Sequence, residues 1–138
     1  MEIKICNNCG KKLTNRWQLK YCSNRCQFEL QHKKFIKGWK SGNKNGNVGL
    51  NSRIISDHLK KYFLVKFDNK CSKCGWSKKH PKSGNIPLEI DHIDGNSENN
   101  LEKNLRLLCP NCHALTPFYK NLNRGKGRKW RIKKYLKN

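Results

Sequence analysis

Acidic side chains are scarce in this chain of 138 residues: nine Asp and Glu stand against thirty-one Lys and Arg, a formal net charge of +22. That deficit argues against a cationic partner and points to a polyanion. Nucleic acid comes first, because Lys and Arg that neutralise phosphates release condensed counterions whatever the base sequence. Long apolar runs are missing too, so no stretch approaches the ~20 residues that a bilayer-spanning helix needs. An anionic membrane surface remains the alternative polyanion, but it would favour a basic amphipathic helix with a clean apolar face. The opening MEIKICNNCG has neither an apolar h-region nor a small-residue cleavage site, so a reducing, cytoplasmic setting is expected. Apolar residues make up only 35% of the chain, cysteines included. At the length of one ordinary domain or two very small ones, burial alone is marginal, and something else must stabilise the fold.

The eight cysteines supply it. They fall in close pairs, Cys6/Cys9, Cys22/Cys26, Cys71/Cys74 and Cys109/Cys112. Such spacings let both thiolates of a knuckle face one tetrahedral ion, whereas a disulfide within a pair would close a tiny, strained loop. Two structural zinc sites are therefore expected, each with four cysteine ligands, in preference to a disulfide framework.

The first block, residues 1–37, reads as an amino-terminal four-cysteine finger of zinc-ribbon or treble-clef pattern. Ser23 is placed to cap a helix on which Phe28, His32, Phe35, Ile36 and Trp39 recur at helical spacing. This module either stabilises its own helix or docks on DNA. Residues 38–70 begin with GWKSGNKNGNVGLN, rich in glycine and read as a linker. A helix follows from Ser52 to Phe67, with Ile55, Leu59, Tyr62, Phe63 and Lys66 on one face and Asn69 as its stop. From Cys71 the order is knuckle, basic loop (Lys78 to Asn85), short strand (Leu88 to His92), asparagine-rich loop, second strand (Leu105 to Leu108), then a helix opening at CPNCH. Pro110 suits a first helical turn, and Pro117 should end that helix early. The fold class expected is small α+β, stapled by zinc. Residues 124–138 hold eight Lys or Arg interleaved with Trp130, Ile132, Tyr135 and Leu136; residues 128–138 form a basic tail.

Cleaving a phosphodiester requires a base for the attacking water, positive charge on the phosphoryl oxygens and help for the leaving 3′ oxygen; a divalent ion can supply the last two. EIDHIDGN puts a carboxylate beside an imidazole at a strand end, and LLCPNCH puts a second imidazole on the first turn of a helix. Carboxylate and neutral imidazole suit Mg²⁺, Mn²⁺ or a softer ion. His32, His58 and His80 carry no such context and read as surface or packing residues. Asp94 reads as a turn-capping carboxylate near Gly95 and Asn96. Glu89 could reach the outer shell of a metal, but pairing with a nearby lysine is the preferred reading.

In CSKCGW, PLEIDHIDGN, NLRLLCPNCHALT and the NRGKG that follows, the chain resembles the HNH endonucleases with their ββα-metal site, in particular the small phage-borne type on a four-cysteine zinc scaffold. The resemblance is close over residues 71–127 and looser at the amino-terminal finger. It implies a nuclease domain in which His92 is the general base, Asp91 and His113 hold the catalytic metal, and the amide of Asn104 braces the loop that orients His92. It further implies that Cys71, Cys74, Cys109 and Cys112 hold structural zinc, as Cys6, Cys9, Cys22 and Cys26 do in the finger. Asn99 and Asn100 read as ordinary loop residues, because the NLRLLC context selects Asn104.

Some subfamilies, such as the colicin nucleases, carry a further histidine one helical turn after His113. Here that position is Pro117, so two protein ligands are implied, and a weakly held Mg²⁺ or Mn²⁺. The implied substrate is double-stranded DNA, cut to 5′-phosphate and 3′-hydroxyl ends. One site cleaves one strand, so a monomer would nick, and a double-strand break would need a homodimer or two events. Arg124, Lys126, Arg128, Lys129 and Arg131 are candidate DNA contacts. The alternative is a non-catalytic double zinc-finger protein that binds nucleic acid; such a protein would not need Asp91 and His92 together.

Overall fold

The computed structural model describes residues 3–49, 52 and 54–123; the candidate DNA contacts from Arg124 to Arg131 and the basic tail lie outside them. The chain divides into two compact units, Met1–Lys44 and Asn45–Asn138.

The first unit opens with a tight knuckle. The Cys6 N–H donates to the Lys11 carbonyl at 2.8 Å and the Gly10 N–H returns to the Cys6 carbonyl at 2.9 Å. Gly10 sits at φ +72°, left-handed backbone that a residue without Cβ adopts at little cost. Helix α1, Asn24–Lys40, begins after Ser23, whose hydroxyl accepts from the Cys26 N–H at 3.2 Å. It continues past Lys37: Gly38, Trp39 and Lys40 form its last turn, and Trp39 is buried. Phe28, at the other end of the expected apolar stripe, stays partly exposed.

The glycine-rich stretch is therefore not one linker. Its start is helix, and Asn45 onward belongs to the second unit. Asn47 pairs with Ile55 in an antiparallel bridge, and the Ser56 N–H donates to the Gly46 carbonyl at 3.0 Å. That bridge delays the next helix. Helix α2 spans Asp57–Lys66, with extended Ser56 as its cap accepting from the His58 N–H, rather than starting at Ser52. Asp68 and Asn69 both take positive φ, 50° and 53°, and stop it.

Strands β1, Glu89–His92, and β2, Leu105–Leu108, pair antiparallel in the register Glu89↔Leu108, Ile90↔Leu107, Asp91↔Arg106 and His92↔Leu105. Helix α3, Pro110–Ala114, follows at once. Cys109 is its cap, accepting weakly through Sγ from the Cys112 N–H at 3.5 Å. Pro110 occupies the first turn, where a missing N–H costs nothing. Both α2 and α3 pack on the hairpin. Leu59 and Phe63 from α2 are fully buried, as are Leu107 and Leu108 from β2, with Leu88 and Leu105 nearly so. Each such side chain contributes ~1.5–3 kcal/mol of transfer free energy, a core of the modest size that the composition implies. Tyr62 and Lys66 both donate to Glu102 Oε1 at 2.6 Å, fixing the turn before β2 to α2. No helix among the described residues is long and apolar enough to cross a membrane.

Candidate metal centres and active site

Knuckle geometry repeats in the second unit. The Cys71 N–H donates to the Trp76 carbonyl at 2.9 Å, and Gly75, at φ +75°, donates to the Cys71 carbonyl. The Ser72 N–H and hydroxyl both donate to the Leu107 carbonyl, at 2.8 and 2.9 Å, and tie the knuckle to β2. The ligand sulfurs of Cys71, Cys74, Cys109 and Cys112 all lie within 4.8 Å of one another, as do those of Cys6, Cys9, Cys22 and Cys26. A tetrahedral zinc ion with Zn–S of about 2.3 Å separates its sulfurs by about 3.8 Å. The Cys9–Cys22, Cys22–Cys26 and Cys74–Cys109 distances are 3.7, 3.4 and 3.8 Å, and all eight cysteines are free thiols. Both clusters could hold zinc.

Electrostatics within the clusters point the same way. Backbone N–H groups, that of Cys9 foremost, hold the Cys6 thiol down to about 6. Burial pushes the Cys71 thiol up, but the N–H groups of Cys109, Cys74 and Lys73 together bring it to about 6. Cys22 is raised to about 12, mainly through its hydrogen bond to Cys26 and then that to Cys9. Cys112 is raised to about 12, first through Cys74 and then through burial. Four sulfurs packed this closely cannot all ionise alone, and a divalent cation removes the conflict.

The hairpin and α3 build a second constellation. Alternation along β1 puts Glu89 and Asp91 on one face, and register places Arg106 opposite Asp91. Asp91 is buried, and its Oδ2 accepts from Arg106 Nε at 2.7 Å. Its Oδ1 faces His113 Nε2 at 3.7 Å, while His113 Nδ1 meets Glu89 Oε2 at 2.7 Å. Tyr119 stacks edge-on against the His113 ring at 5.2 Å. With Nδ1–H donating to Glu89, the Nε2 lone pair is left toward Asp91, the arrangement usual for a metal-bound imidazole. Adjacent ligands about 2.1 Å from one octahedral ion lie about 3 Å apart, so the present gap accommodates a cation with a small adjustment. Among the described residues Glu89 thus pairs with His113 rather than with a lysine. The strand register carries the signal for this, since Glu89 shares a face with Asp91.

His92 ends β1, and no hydrogen bond joins it to Asp91 or His113. Its Nε2 lies 2.7 Å from Asn100 Oδ1. Asn100 is buried, and its Nδ2 donates to the Asn45 carbonyl at 2.7 Å and to Asn47 Oδ1 at 2.9 Å. Asn104, also buried, works on the loop: Oδ1 accepts from the Asp94 N–H at 3.1 Å, and Nδ2 donates to Asp94 Oδ1 and the Asn99 carbonyl, each at 2.8 Å. Burial raises the Asp94 carboxyl, yet hydrogen bonds from Asn99, the Asn96 N–H and Asn104, with the nearby His92 charge, leave it below the ordinary carboxylate value. Gly95 has a tighter reason than turn chemistry. A Cβ there would stand 2.5 Å from Phe118 Cγ and 2.9 Å from Asn123 Oδ1.

A hairpin and helix tied together by four cysteines thus present an acid and an imidazole side by side, a set of groups that could hold a metal. Residues 71–115 match the family model described as HNH endonuclease, so this segment carries an HNH domain. The H-N-H endonuclease F-TflIV of Escherichia phage T5 is 37% identical over 100 residues, covering 72% of this chain and 40% of that protein. The match therefore spans 40% of the length of that relative. No solved structure matches.

Proposed function

We propose that this protein is a metal-dependent endonuclease that hydrolyses DNA phosphodiester bonds. The observation that carries the reading is the approach of Asp91 Oδ1 to His113 Nε2 within the segment that matches the HNH family. Asp91 and His113 would hold Mg²⁺ or Mn²⁺, and both four-cysteine clusters would hold zinc. When bound, the catalytic ion would supply Lewis acidity at the scissile phosphate and charge stabilisation at the leaving oxygen. Arg106 keeps Asp91 Oδ2 occupied and leaves Oδ1 for the ion. His92 takes a proton from the attacking water, a role suited to an imidazole near neutral pH. Asn104 braces the loop that leads away from His92. Grip on duplex DNA comes from the net charge of +22, to which Arg124, Lys126, Arg128, Lys129 and Arg131 contribute.

The test is conversion of supercoiled plasmid in Mg²⁺ or Mn²⁺. Wild type cleaves and EDTA stops it; His92→Ala binds DNA with unchanged affinity and does not cleave. Equal cleavage by His92→Ala would remove the base assignment, and no cleavage by wild type in either metal would remove the nuclease reading.

A further inference from the structure

We propose that Asn100, backed by Asn45 and Asn47, is a positioning residue that fixes the tautomer of His92 and leaves Nδ1 as the proton-accepting nitrogen; this rests on the reading of His92 as the base. An amide can present either end to an imidazole, so its orientation has to be fixed by its other partners. Here one of those partners is a main-chain carbonyl, Asn45 O, at 2.7 Å from the amide nitrogen. A carbonyl accepts and never donates, so the end of Asn100 that faces it must be the NH₂ group. The second NH₂ hydrogen goes to Asn47 Oδ1 at 2.9 Å. Asn100 Oδ1 is thereby turned to His92, 2.7 Å from Nε2. An oxygen at that distance requires a donor, so the ring proton of neutral His92 sits on Nε2 and the lone pair on Nδ1.

The support behind this relay is stiff. Asn100 and Asn47 are 6% and 9% exposed, so water does not compete easily for their hydrogen bonds. Asn45 Oδ1 accepts from the Asn47 N–H at 3.0 Å, and Asn47 is held by its bridge to Ile55, directly before the Ser56 cap of α2. The base is thus referenced to α2 through a segment distant in sequence, and not only to its own strand. Misplacing a catalytic group by about 1 Å can cost on the order of 100-fold in rate.

The experiment combines ring-nitrogen NMR on ¹⁵N-labelled full-length protein with cleavage kinetics, the His92 signals being assigned by their loss in His92→Gln. In wild type the proton is expected on Nε2, with a ring N–H signal protected from solvent exchange and an unprotonated Nδ1. In Asn100→Ala that protected signal disappears and kcat falls about 10- to 100-fold, while KM for DNA stays within about twofold. Asn47→Ala, which removes one of the two acceptors, lowers kcat by a smaller factor and serves if Asn100→Ala melts at the assay temperature. A wild-type proton on Nδ1, or full kcat in both variants, overturns the proposal. Wild-type protein that never cleaves refutes the nuclease reading instead, and the NMR still decides the tautomer.

Discussion

Glu89 Oε2 and His113 Nδ1 stand 2.7 Å apart, and this contact turns the opposite nitrogen of the imidazole toward Asp91. The carboxylate fixes the ring and makes Nε2 a better donor to a cation. Glu89→Ala is expected to raise the Mn²⁺ concentration for half-maximal cleavage by about 10- to 100-fold, with zinc content unchanged. Titration of cleavage against Mn²⁺ checks this, and an unchanged midpoint would mean that the contact does not act on the metal.

The cysteine clusters should stabilise their own units. Structural zinc contributes on the order of 10 kcal/mol at neutral pH, so Cys71→Ser is expected to lose zinc, the cooperative melt of the second unit and cleavage together. Acid should act in the same direction. Cys6 and Cys71 have thiols held from the usual 9.0 down to about 6, so the stabilisation linked to their ionisation is full above pH 9 and is lost as pH falls through about 6. In the metal-free protein the melting temperature should drop across that window; bound zinc holds the thiolates ionised to lower pH and shifts the drop downward. Melting temperature and bound zinc measured from pH 9 to 5 provide the check.

Asn104 makes three hydrogen bonds from a buried position to the loop after β1. Asn104→Ala removes them and leaves the Asp94 carboxylate and the Asn99 carbonyl short of donors. At about 1 kcal/mol per net bond, with a further penalty for stranded groups, the expected loss is about 2–4 kcal/mol. Urea unfolding should show it; a change below about 0.5 kcal/mol would assign the bracing elsewhere.

The elements that the sequence revealed are those whose cause is local. Ser23 capping α1, Asn69 stopping the second helix and Pro110 opening the third all act within one turn of chain. The approach of Asp91 to His113 depends on a strand end and a helix start that a short cysteine spacing holds close. Glu89 was misread because, although alternation puts it on the face of Asp91, its partner is chosen by the approach of α3 to that face. The start of α2 was misplaced for a related reason: Ile55 has helical spacing but is taken by its bridge to Asn47.

By itself, then, the sequence determined the chemistry available: thiolate quartets from short spacings, an acid beside an imidazole, and a surface charged for a polyanion. Only the tertiary structure decided which amide holds His92. Asn104 lies in the motif and braces the loop, while Asn100 touches the ring and is held from across 53 positions of chain by Asn47. Partners that far apart are brought together by burial of the α2 and hairpin core, a property of the assembled fold that no local pattern encodes.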